Sequence, residues 1–155
     1  MSTIGDVLTI GVPVSDQDRA RDFYVDVLGL ELLRDAEMQP GLRWVQVAPR
    51  GGATTLTLVT WFDTMPAGSY RGLVLETDDP EGDVERLRAH GLEFPAGVQQ
   101  QPWGAFVTFG DPDGNGLVLR ATRARRPRSR PLPRPTGHDD AAPGMAAPAR
   151  GLPRA

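Results

Sequence analysis

The sequence predicts an α+β fold made of two βαβββ modules, and three observations carry that prediction. A strand-like run ending in an acidic cap occurs twice, as Thr9-Ile-Gly-Val-Pro-Val-Ser-Asp16 and as Gly72-Leu-Val-Leu-Glu-Thr-Asp-Asp79. Each is followed by a helical stretch that closes on a similar phrase, Gly29-Leu-Glu-Leu32 or Gly91-Leu-Glu-Phe94. Each copy then ends in a hairpin of β-rich runs around a turn containing Gly. A period of about 60 residues is too long for a solenoid, so two copies make a paired-module domain. The surface where the copies face each other is the expected place of function.

Residues 8–14 are apolar and β-branched with Pro13 inside, so Pro13 belongs where no ladder hydrogen bond is needed. Ser15 or Asp16 caps a helix whose apolar positions are Ala20, Phe23, Tyr24, Val27 and Leu28, and Gly29 stops it. Residues 31–34 read as a short strand, and residues 43–48 and 54–61 as a hairpin around Pro49-Arg-Gly-Gly52. After a Gly-, Pro- and Ser-containing connection, residues 71–77 begin the second copy. Asp79 caps its helix, Pro80 suits the first turn, Val84 and Leu87 form the buried stripe, and Gly91 ends it. Residues 92–94 read as a strand edge, and residues 104–109 and 116–121 as a hairpin around Asp111-Pro-Asp-Gly-Asn-Gly116. Helices should cover one face of each antiparallel sheet and leave the other concave and partly open.

The 155-residue chain is long enough for a core, and residues 1–121 read as one domain with modules at about 6–61 and 71–121. No run approaches a membrane span, and no cysteine is present for disulfides, thiolate catalysis or zinc–thiolate sites. These features suggest a cytoplasmic protein. The net charge of −3 hides a split: residues 122–155 carry eight Arg against Asp139 and Asp140, a charge of +6, which leaves −9 on residues 1–121. The Arg- and Pro-rich segment has no aromatic residue, so it reads as a disordered tail. Such a tail could contact nucleic acid through phosphates, although a solvated tail is the simpler reading.

Four motifs resemble the vicinal oxygen chelate superfamily, which contains glyoxalase I, extradiol dioxygenases and bleomycin-resistance proteins. They are Val14-Ser-Asp-Gln-Asp-Arg-Ala20, Phe23-Tyr24 with Leu28-Gly29-Leu30, Gly72-Leu-Val-Leu75, and Asp111-Pro-Asp-Gly-Asn115. They run in the family's order over about residues 6–121. The resemblance implies the glyoxalase-like fold, but the fold hosts several chemistries and names none of them. Metal-dependent relatives place two His and two Glu on the concave face. Those positions fall here on Thr9, Gly72, Thr57 and Val118, and the only histidines are His90 and His138. Gly and Val offer no side-chain donor, and a Thr hydroxyl is a poor substitute for imidazole or carboxylate. The expectation is therefore no metal and no cofactor. Asp111, Asp113, Asn115 and Gly116 imitate the start of a calcium loop, but Thr122 stands where its bidentate Glu would be, so the segment reads as a turn.

Period-two alternation sorts the side chains by face. Placing Thr57 inward brings Thr55, Val59 and Trp61 with it and leaves Leu56 and Leu58 under the helices. Placing Val45 and Val47 under the helices leaves Trp44 and Gln46 inward, and Gly72 and Val118 bring Glu76 and Arg120. The expected ligand-binding set is Trp44, Gln46, Thr57, Trp61, Glu76 and Arg120, with Trp103 of Gln99-Gln-Gln-Pro-Trp103 at the rim. Indoles and amides suit a flat polar ligand, and an acidic domain favours cations. The first reading is a metal-free binder of a small organic, cationic or aromatic ligand, similar to bleomycin-resistance-type proteins, for which the resemblance implies a homodimer. The second is a lyase, isomerase or dioxygenase with an atypical or absent metal site, with Glu76 as a candidate catalytic base. The third is an interaction protein acting through its basic tail.

Overall fold

A computed structural model describes residues 2–121, and the Arg- and Pro-rich segment lies outside the described residues. The order is β1 (Thr9–Pro13), α1 (Gln17–Asp22) with a π-helical continuation (Phe23–Val27), β2 (Glu31–Gln39), β3 (Leu42–Ala48) and β4 (Thr55–Val59). The second module is β5 (Leu73–Glu76), α2 (Pro80–Ala89), β6 (Gln99–Gln101), β7 (Gly104–Gly110) and β8 (Gly116–Ala121). The strand orders β1-β4-β3-β2 and β5-β8-β7-β6 are the same arrangement repeated. Each sheet is mixed rather than wholly antiparallel, because β1 runs parallel to β4 and β5 parallel to β8. The helix returns the chain to its starting end and the following meander reverses it twice, so first and last strands point the same way. Among the described residues no helix is long and apolar enough to cross a membrane.

Local chemistry explains the helix ends. Asp16 is the N-cap of α1 and accepts from the backbone N–H groups of Asp18 (2.9 Å) and Arg19 (3.1 Å). The wider π-turn lets the adjacent Phe23 and Tyr24 both face inward, with their rings edge to face at 5.2 Å. Gly29, at φ 87°, closes this helix as Leu30 N–H donates to Tyr24 O. Asp79 caps α2 through Gly82 N–H, and Gly91, at φ 88°, ends it.

Two strands depart from the sequence expectation. Strand β2 continues five residues past Arg34, to Gln39, because the Pro40-Gly41 turn folds it onto β3. Two register shifts, between Leu32 and Arg34 and between Glu37 and Gln39, break the alternation that would have revealed it. Residues 92–94 are not a strand: Leu92 N–H donates to Leu87 O at the end of α2, and Phe94 drops into the core. The strand lies later, in Gln99–Gln101, and carries no apolar residue.

One continuous core joins the modules. It takes Val12, Val45, Val47, Leu56 and Leu58 from the first sheet and Leu73, Val107, Phe109, Leu117 and Leu119 from the second, with Phe23, Tyr24, Val84 and Leu87 between them. The helix-bearing faces therefore turn toward a shared interior, and the opposite face of each sheet turns away from it. Along the junction Arg86 donates to Val27 O (2.6 Å), and Asn115 Nδ2 donates to Pro13 O (2.8 Å).

A charge cluster ties α1 to the first sheet. Asp35 accepts from Arg43 (2.7 Å) and pairs with Arg21 (3.0 Å), while Asp18 meets both arginines. Hydrogen bonding to Arg43, assisted by Arg21 and opposed by partial burial, holds the Asp35 carboxyl down at about 2. A depressed carboxylate adds stability that is complete above its unfolded value and disappears as pH falls through the folded one. The native protein should therefore lose stability between about pH 4 and pH 2 that Asp35→Asn does not lose. Urea midpoints compared at pH 7, 3.5 and 2.5 measure this. At pH 7 the variant should be weaker by only about 0.5–1 kcal/mol, because the partners are partly exposed.

Candidate functional site

The open face of the first sheet is built by alternation on β1, β4 and β3. Gln46 is in register with Thr57, so their side chains share one side, and Gly11 is the partner of Thr57 on β1. Val45 and Val47 are fully buried on the other side. A chain of neutral hydrogen bonds runs across the open face. Trp44 Nε1 donates to Gln46 Oε1 (3.1 Å), Gln46 Nε2 to Thr55 Oγ1 (2.7 Å), and Thr55 Oγ1 to Leu8 O (3.0 Å). Beside it Thr9 Oγ1 and Thr57 Oγ1 share a hydrogen bond at 2.7 Å. Trp61, two residues past β4, stacks on Trp44 at 6.0 Å with planes 23° apart, and Phe62 extends the cluster at 5.9 Å.

The open face of the second sheet carries a different set. Glu76 on β5 is in register with Arg120 on β8, and Arg120 with Phe106 on β7. Trp103, in the turn between β6 and β7, stacks on Phe106 at 5.4 Å, and the Arg120 guanidinium lies 4.4 Å from its ring centre. Val74 and Trp103 are about half exposed, at 52% and 48%. The residues expected to line the groove thus form two groups. Trp44, Gln46, Thr57 and Trp61 are on the first sheet, Glu76, Trp103 and Arg120 are with the second, and each group faces away from the shared core. Sequence reasoning missed Thr55 as the hydrogen-bond hub and Phe106 as the floor beneath Trp103. Both alternate onto the open faces, which was the available signal.

The four positions that the resemblance assigns to metal ligands do not fit a cation. Thr57 is 2% exposed and its hydroxyl is engaged with Thr9. Gly72 adopts φ 89°, a backbone that strains any residue with a β-carbon, and Val118 has no donor atom. Among the described residues no group of three or more His, Cys, Asp or Glu could hold a metal. The Asp111–Gly116 turn uses its carboxylates internally. Asp111 accepts from Tyr24 and Asn115, and Asp113 from Ser15 and Arg19, as a structural turn requires and a calcium loop does not.

Comparison with known proteins adds lineage. Residues 6–119 match the model of the Glyoxalase/Bleomycin resistance protein/Dioxygenase superfamily. A Bacillus subtilis (strain 168) protein of uncharacterised function, YetH, is 36% identical over 115 residues, covering 72% of this chain and 94% of its own. Among solved structures, TnmS3, an antibiotic binding protein from Streptomyces sp. CB03234, is 48% identical with a TM-score of 0.73. That match covers 79% of this chain and all of TnmS3. A second protein from the same strain, described as a glyoxalase/bleomycin resistance protein, is 51% identical with a TM-score of 0.65, over 72% of this chain and 96% of its own.

Proposed function

The chain belongs to the Glyoxalase/Bleomycin resistance protein/Dioxygenase superfamily, and from that premise we propose that it binds a planar organic molecule without a metal ion, sequestering it rather than converting it. The observation that carries this reading is the pairing on the first open face of an indole stack with a chain of neutral hydrogen bonds. Trp44 and Trp61 offer flat apolar area, while Gln46 pairs with Thr55 and Thr9 with Thr57. A site of this composition can hold a ring by burial and stacking, but it offers no general base poised among these groups. The antibiotic-binding relative at 48% identity supports the same class of ligand. The net charge of −9 on residues 1–121 favours a ligand with cationic character at long range.

The two open faces turn away from one core, so a groove with two walls needs a second copy. We place the first sheet of one protomer opposite the second sheet of its partner, in a homodimer that works in the cytoplasm. The test is a fluorescence titration of the full chain, following its three tryptophans, against a panel of planar and cationic antibiotics. At least one should quench emission with a dissociation constant on the order of 1 μM, and silence across the panel would refute sequestration. Elemental analysis after dialysis against zinc, manganese and iron salts should find well under about 0.1 metal per chain. One tightly held ion per chain would turn the reading toward catalysis.

A further inference from the structure

On the second open face one polar atom is out of keeping with its surroundings. Arg120 Nε is shielded from solvent and, among the described residues, has no hydrogen-bond partner. The shield is consistent with Trp103, whose indole stacks on Phe106 and lies 4.4 Å from the guanidinium carbon. Gly104, next to Trp103, sits at φ 137°, a conformation that side chains rarely adopt and that suits the turn carrying the indole. Stacking satisfies a guanidinium through its face. The Nε–H bond lies in the guanidinium plane, so a ring above that plane cannot accept it. A charged donor buried without an acceptor is costly, and its presence on an otherwise open face calls for a partner.

We propose that Arg120 selects the ligand: the bound molecule is a planar ring system with an oxygen acceptor at its edge, and that oxygen accepts from Arg120 Nε once Trp103 turns aside. This rests on the reading above that the open faces bind a small molecule. Phe106 then provides the floor for the ring, and the exposed indole of Trp103 moves to flank it. Glu76 stands in register with Arg120. The domain's negative field attracts cationic parts of a ligand from a distance, whereas Arg120 sets which atom is recognised at contact.

The experiment uses two probes of one shape on the full chain, 2-naphthoate and 2-naphthylmethylammonium, titrated by calorimetry. Wild type should bind the carboxylate at least about tenfold more tightly. Arg120→Gln and Arg120→Lys should both bring that ratio close to one, with thermal melts confirming that each variant folds. Arg120→Lys keeps the charge but loses the planar donor, so it separates the two contributions. A ratio that survives in either variant overturns the assignment to Nε, as does a wild-type preference for the ammonium probe. If neither naphthalene binds, the proposal falls. If the antibiotic panel is silent too, the reading beneath it falls as well.

Discussion

Asp111→Ala is expected to lower the unfolding free energy by about 3–5 kcal/mol, the largest stability loss of any single change considered for this protein. Asp111 is 7% exposed, and its two carboxylate oxygens serve four donors. Oδ1 accepts from the backbone N–H groups of Asp113 (3.0 Å) and Asn115 (2.9 Å), which fixes the turn between β7 and β8. Oδ2 accepts from Tyr24 Oη (2.9 Å) and Asn115 Nδ2 (2.8 Å). Tyr24 comes from the first module, so this carboxylate also fastens the modules together. Alanine would leave a buried phenol and two turn amides without their acceptor, at about 1–3 kcal/mol for each buried group that finds no substitute. Asn115 Nδ2 would keep Pro13 O, which limits the total. Tyr24→Phe should cost only about 1–2 kcal/mol, because the carboxylate keeps three of its donors. Urea denaturation of both single variants and the double variant measures this. Additive losses would show that Tyr24 and Asp111 are not coupled, against the geometry.

The phenol itself reports the same burial. Desolvation first, then the adjacent Asp111 carboxylate, pushes the Tyr24 hydroxyl far above the usual tyrosine range. The phenol therefore stays protonated, and a donor to Asp111, through the range in which an ordinary tyrosine ionises.

What the sequence could reveal depended on how local each signal was. The acidic caps Asp16 and Asp79 were legible because a cap is made within three residues of itself. The sorting of Val45 and Val47 from Trp44 and Gln46 was legible because a strand covered on one face must alternate. The far half of β2 was not, because it is an edge strand whose register shifts spoil the period. Strand β6 was hidden because Gln99–Gln101 has no apolar residue to alternate. The hardest feature was the split of the candidate site between two faces. Periodicity says which side chains share a sheet face, but not which faces of two sheets meet. The core shared by Val12, Leu58, Leu73 and Leu119 decides that, and it is made by residues far apart in the chain.

Trp44→Ala should weaken whichever planar antibiotic answers the titration by about 10–100-fold, the range expected for an aromatic anchor at the centre of a contact. Trp44 is only partly buried, so the fold should survive the change, and Trp61 loses its stacking partner with it. Trp61→Ala should act in the same direction, and the pair should be less than additive because the rings form one platform. A steric block on the other sheet, Val118→Trp, should produce a comparable loss. Val118 sits between the exposed Val74 and Thr108, so the added indole has room to lie on the open face. If each groove takes one wall from each protomer, neither homodimer has an intact groove. A heterodimer of the two variants has one intact groove and one damaged twice. Mixing the variants in equal amounts and allowing subunits to exchange should therefore restore about one quarter of the wild-type sites at native affinity. Calorimetry counts those sites directly. A groove made within a single chain restores none, because every chain in the mixture carries one of the two defects, and that outcome would remove the second copy from the binding site.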